Sequence, residues 1–317
     1  MIGLSVVYGL AGLVFAAFAL LSAPDRTNRK RFGNVLFWGL VATSFLAGDC
    51  LGDLGNGVLV LGLVLIAGTG QLGRGQPATT SPDERKALAA RFGERLFIPA
   101  LILPVVVAFG VLVLTPMRLA EGPLLDPKQA TLISLALAAV IATGVGLISL
   151  RQPLLSPLQE GRRLVDTVGW AALLPQMLAA LGAIFALAGV GQAIGALVTA
   201  WIPMDARLTA VAVYCLGMAG FTLVMGNAFA AFPVLMAGVG LPILIGKFHG
   251  DPAVVASIGM LSGFCGTLMT PLAANFNLVP AALLELPDRY AVIKAQIPTA
   301  LPLLIANMVL MYVLAFR

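Results

Sequence analysis

The chain has 317 residues, of which 60% are hydrophobic and only 10% charged, with a mean hydropathy of +1.00. Soluble chains carry about 25% charged residues and about 45–50% apolar ones, so this composition cannot cover a soluble globule with polar surface and places the chain in a bilayer. The net charge of +5 is spread over short connections without a basic tail, which excludes an ordinary nucleic-acid-binding surface.

Other totals narrow the chemistry. A single histidine, His249, excludes any site built from two histidines of this chain. Cys50, Cys215 and Cys265 lie far apart with no C-x-x-C, so they read as small apolar residues rather than a metal site or a disulfide framework. No metal or organic cofactor is expected. Thirty-five glycines and twenty prolines point to close helix packing and interrupted helices.

A bilayer core about 30 Å thick needs roughly 20 mostly apolar residues per helix. In chain order the apolar runs fall at 2–22, 32–48, 55–70, 96–115, 130–150, 171–190, 208–225, 228–246, 253–270 and 297–316. The expectation is therefore an all-α, polytopic membrane protein with about ten transmembrane helices. The first run has no basic residue before it, unlike a cleavable signal, and is read as a retained helix. Two shorter stretches, 191–203 and 272–286, are left uncounted. Segment 78–95 is the longest polar stretch and reads as a surface helix opened by Ser81 and Pro82.

Charge sorts the first half. Arg26, Arg29, Lys30 and Arg31 crowd the first connection, Arg74, Arg85, Lys86, Arg91 and Arg95 the third, and Arg151, Arg162 and Arg163 the fifth. The second connection holds Asp49 and Asp53 without a basic residue. The positive-inside rule then puts the odd connections in the cytoplasm and the amino terminus outside. The location expected is the cytoplasmic (inner) membrane of a bacterium.

The informative region is 215–281, where apolar helix is interrupted twice. The first break is Met225-Gly226-Asn227, with Pro233 following. The second runs from Ser262 through Gly266, Thr267, Thr270 and Pro271 to Asn275 and Asn277. Backbone groups unpaired in hydrocarbon cost several kcal/mol each, so such breaks persist where protein, water or ligand satisfies them. Broken helices of this kind recur at the substrate sites of secondary transporters. Gly and Pro are also common in membrane helices for packing alone, and Gly191 with Gly195 is read that way. Asp49 and Asp53, spaced i, i+4, could hold a coupling cation; the surrounding glycines and Asn56 favour an external turn instead. His249, between Lys247 and Asp251, reads as an ordinary loop residue.

The 181–281 stretch resembles one half of an ion-transporter-superfamily protein. The likeness is carried by Gly189-Val190-Gly191, the segment 192–203, Gly226-Asn227-Ala228, and Thr270-Pro271 with Asn275. Gly226 stands where the superfamily usually has a serine. Over nearly its full length the chain is also similar to the bacterial membrane family called domain of unknown function 979. That resemblance implies one subunit of a 5-oxoproline (pyroglutamate) transporter, partnered by a second membrane subunit resembling domain of unknown function 969. The superfamily likeness implies a re-entrant hairpin and a broken helix in a transport half, 151–317, and residues 1–150 read as scaffold helices. The function expected is secondary transport of a small organic anion, coupled to Na+ or H+ and moved by an elevator-like displacement. The substrate-binding set is Gly226, Asn227, Gly266, Thr267, Thr270, Pro271, Asn275 and Asn277, with Asp49 and Asp53 as the cation candidates. A non-transporting scaffold or assembly subunit is the alternative. An enzyme is not expected: no G-x-S-x-G is present, and no tyrosine is followed by aspartate.

Overall fold

The computed structural model describes residues 2–76, 81–119, 122–284 and 286–317. The chain is an all-α polytopic membrane protein; among the described residues eight helices are long and apolar enough to cross a bilayer. It divides into two compact units, Met1–Gly169 and Trp170–Arg317.

Unit 1 begins with α1 (Leu4–Ser22) and α2 (Arg31–Gly68). As a straight rod, the 38 residues of α2 would extend about 57 Å. Instead the two ends meet: Lys30 Nζ donates to the Gly70 carbonyl at 2.6 Å, and Asn34 Nδ2 donates to the Gly73 carbonyl at 2.8 Å. The chain turns back at Gly52, whose φ of 60° and ψ of −176° suit glycine alone. Asn56 closes the turn by donating to the carbonyls of Gly48 and Gly52. α2 is thus a hairpin of two limbs, which are the two runs read at 32–48 and 55–70.

α3 (Pro82–Phe92) opens on a capping box between Ser81 and Glu84, the pattern expected of a surface helix. It is shorter than the 78–95 read from sequence, because Gly93 turns the chain at φ 51°; residues 78–80 lie outside the described residues. α4 (Phe97–Phe109) runs on through a π-helical turn, Gly110–Leu114. Two-residue strands β1 (Arg118–Leu119) and β2 (Gly122–Pro123) pair antiparallel before α5 (Ala130–Leu150). α6 (Ser156–Val168) is amphipathic and, at about 20 Å, too short to cross a bilayer alone.

Unit 2 contains α7 (Leu174–Leu187), α8 (Val190–Trp201), α9 (Arg207–Met225) and α10 (Ala228–Leu235), which continues as a π-helix over Met236–Lys247. α11 (Pro252–Leu268), α12 (Ala274–Leu283) and α13 (Ala291–Leu314) complete it. The stretches left uncounted in the sequence are therefore helices, α8 and α12, too short to span. The unit 2 core gathers Tyr214 and Met218 of α9, Val234, Val239, Val255 and Met311. Its helices approach closely. A Cβ on Gly195 would lie 2.3 Å from the Gly238 carbonyl oxygen, and one on Gly266 2.3 Å from that of Ala219. Lipid gives apolar side chains no reason to leave it, so contact of this closeness supplies the dispersion that holds membrane helices together.

Candidate functional site

The first break is where the sequence places it. α9 ends at Met225, Gly226 takes a left-handed conformation (φ 75°, ψ 3°), and Asn227 caps α10 by accepting from Phe229 N at 2.8 Å. The second break is narrower than the sequence reading. Ser262, Gly266 and Thr267 lie within unbroken α11, and the unwound stretch is 269–273. Ser262 and Thr267 hydroxyls donate to carbonyls one turn back, Ile258 and Gly263, so these small polar residues are absorbed into the helix. The main chain comes free only where Pro271 withholds its N–H.

The two breaks touch. A Cβ on Gly226 would lie 2.6 Å from the Leu272 carbonyl oxygen. Thr270 Oγ1 donates to the Leu223 carbonyl at 2.9 Å and accepts from Leu272 N at 3.2 Å. Asn277, one turn into α12 and fully buried, donates to the carbonyls of Thr267 (2.9 Å) and Thr270 (2.7 Å). Carbonyls stranded by the end of α11 thereby receive side-chain donors. Two helices end at this crossing, α9 and α11, and two begin, α10 and α12.

Depth follows from α13. Asp251 N donates to the Ala315 carbonyl (2.8 Å), which sets the start of α11 beside the end of α13. Farther along, Asn307 Nδ2 donates to Cys265 Sγ at 3.7 Å. The break begins four residues beyond Cys265, about 6 Å, and so lies level with the middle of the 24-residue α13.

Two buried oxygens at the crossing have no hydrogen-bond partner: Thr222 Oγ1 and Asn277 Oδ1. Both residues are fully buried. Because Asn277 Nδ2 is committed to two carbonyls, Oδ1 is left as an acceptor alone. Thr222 was not singled out in the sequence; its place one turn before Gly226 is the signal that could have found it. Asn227 and Thr270 are buried, Asn275 is half-buried and Pro271 exposed. The one lysine or arginine between the two breaks, Lys247, is held at the other end of its helix by the Met204 carbonyl and Asp205.

Asp49 and Asp53 belong to unit 1, at the tip of the α2 hairpin, and both are exposed. Gly52 breaks the helix between them, so their i, i+4 spacing does not place them on one continuous helical face. They form the turn that the neighbouring glycines favoured.

Residues 5–316 match the family described as protein of unknown function (DUF979). The chain belongs to this family. No curated protein and no solved structure matches it. This DUF979 chain thus has a bilayer-spanning all-α fold with two contacting breaks in unit 2, and among its described residues no group of three or more metal-ligating side chains is assembled.

Proposed function

We propose that this DUF979 chain is a membrane subunit of a secondary transporter for a small organic anion, in the cytoplasmic membrane of a bacterium with its amino terminus outside. 5-Oxoproline is the substrate the family likeness suggests. The carrying observation is the contact of two unwound segments, 226–227 and 269–273, level with the middle of a membrane-length helix and flanked by two unpartnered buried oxygens. The main-chain ends that meet at the crossing supply both kinds of group such a solute needs. The first amides of α10 and α12 can meet a carboxylate, and the carbonyl ends of α9 and α11 can meet a cation.

Between residues 222 and 277 the one lysine or arginine is Lys247, which is held by the Met204 carbonyl and Asp205, so a carboxylate at the crossing is neutralised by a co-transported cation, Na+ or H+. Asn277 Oδ1 and Thr222 Oγ1 can accept from a lactam N–H or ligate that cation. The carrier works with a second membrane subunit resembling domain of unknown function 969, and the hairpin region moves as a body against scaffold helices.

The test is uptake of labelled 5-oxoproline by cells expressing this chain alone, its partner alone, and both. Uptake that needs both and collapses with the cation gradient supports the reading; uptake at background in every combination refutes it. A non-transporting scaffold subunit is the second reading, favoured by the internal hydrogen bonds already made by Thr270 and Asn277 Nδ2. Normal uptake by Thr222→Val and Asn277→Ala variants would favour it.

A further inference from the structure

Unit 1 holds a charged cluster that plays no part in the crossing described above. Among the described residues, the buried charged ones are Arg162 and Asp166, both on α6. They are spaced i, i+4 and so share a face. Arg162 donates through its terminal nitrogens to the Leu21 carbonyl, at the end of α1, and to Asp25 (2.9 Å), whose side chain is only 8% exposed. Asp166 is not in that ion pair. Its Oδ1 accepts from Asn34 Nδ2 (2.9 Å) and Trp38 Nε1 (2.8 Å), both on the first limb of α2.

The donors define how Asp166 can change charge. Indole Nε1 can only donate. Asn34 is locked as a donor because its Nδ2 also serves the Gly73 carbonyl while its Oδ1 accepts from Gly73 N. Neither partner can accept a proton from the carboxyl, so Oδ1 is an acceptor in both charge states and Oδ2 is the oxygen that can carry hydrogen. A proton can therefore arrive and leave without breaking the frame.

Charge count supplies the reason to take one up. Two enclosed carboxylates, Asp25 and Asp166, face one guanidinium, Arg162. With both ionised the cluster carries an uncompensated negative charge away from water, which is costly unless paired. Other charged groups around the cluster are turned to other partners or to the surface: Arg74 donates to the Thr167 carbonyl, Lys30 to that of Gly70, Arg163 pairs with Glu160, Arg31 lies over the Phe32 ring, and Arg26 and Arg29 are exposed. Arg162 Nε, meanwhile, is buried without a partner, a donor one helical turn from Asp166 that its charged form can recruit.

We infer that Asp166 is a proton-binding site of unit 1, a carboxylate that loads and releases one proton on Oδ2 while Asn34 and Trp38 hold Oδ1. The inference does not depend on the transport reading, and its test needs no substrate.

The test is infrared difference spectroscopy of the purified full chain in detergent, titrated from alkaline to acidic buffer. The chain has 14 aspartates and glutamates, so wild type is expected to develop, in the wild-type-minus-variant difference, a protonated-carboxyl C=O band of its own that Asp166→Asn lacks. In Trp38→Phe the charged form loses one donor, so the band should persist with its midpoint moved upward by about one pH unit. Should Asp166→Asn fail to fold, that upward shift in Trp38→Phe carries the test alone. A band that titrates identically in wild type and both variants, or no such band in wild type at any pH, overturns the proposal.

Discussion

Asn277 Nδ2 lies 2.7 Å from the Thr270 carbonyl oxygen and bridges the unwound stretch to the helix that follows it. The same amide nitrogen serves Thr267, so its removal strands two acceptors at once. A buried group left unsatisfied costs about 1–3 kcal/mol. Asn277→Ala is expected to lower the thermal midpoint in detergent clearly, and Asn277→Asp to do no better, since an ionised carboxylate has no donors. A midpoint unchanged in both variants would show that the amide does not hold the break.

Gly226 makes two demands that only glycine meets: a left-handed backbone and room for the Leu272 carbonyl. The left-handed conformation alone costs an L-residue roughly 1–2 kcal/mol, and the obstructing atom is main chain, which cannot rotate away. Gly226→Ala should therefore destabilise the chain and abolish any uptake. Gly220, in the same helix with nothing within 4 Å of a built Cβ, is the control; Gly220→Ala should be neutral or stabilising by roughly 0.5–1 kcal/mol. Melting curves of the two variants side by side check this.

Gly195 and Gly238 bring α8 and the π-helix into main-chain contact. A side chain there must separate the helices, an overpacking cost of typically 1–3 kcal/mol. Gly195→Leu is expected to lower the thermal midpoint and to raise protease sensitivity in unit 2. Equal proteolysis of variant and wild type would contradict it.

Asp25 gives the fold an acid-sensitive element. Burial opposes its charge, but hydrogen bonds from Thr27 and the Arg162 guanidinium outweigh it and hold the carboxyl below its ordinary value of 3.8. A folded-state pKa below the unfolded one stabilises above the unfolded value, and the gain is lost as pH falls through the folded value. Wild type should thus lose stability as pH drops below about 4. Asp25→Asn should be flatter in that range yet weaker at neutral pH by about 1–3 kcal/mol, because Arg162 loses its ion-pair partner and keeps the Leu21 carbonyl and the Asp166 charge. Thermal melts over a pH series read both effects.

Cys50 is exposed beside the turn of the α2 hairpin, whereas Cys215 and Cys265 are buried. An impermeant maleimide added to intact cells should therefore label Cys50 alone if the amino terminus is outside, and Cys50→Ser should remove the label. Labelling only after the membrane is opened would reverse the assigned orientation.

Legibility differed from element to element. α5 was readable to the residue at 130–150, since an uninterrupted apolar run between polar connections has one solution in lipid. The break at Gly226-Asn227 was readable because glycine followed by a capping asparagine ends one helix and starts another. The second break was read too wide. Ser262, Gly266 and Thr267 look like helix breakers in composition, yet serine and threonine hydroxyls bond back to their own helix and glycine packs against α9. Asp166 was hidden altogether, because its spacing from Arg162 and Arg163 reads as an ordinary charged connection.

Taken alone, the amino-acid order determined that this chain enters a bilayer as helices and roughly where each begins, because hydrocarbon tolerates only backbone that bonds to itself. Which polar groups face one another was decided by the tertiary structure. Contacts such as Gly226 with Leu272, or Asp166 with Trp38, join residues far apart in the chain, and only the packing of whole helices brings them within reach.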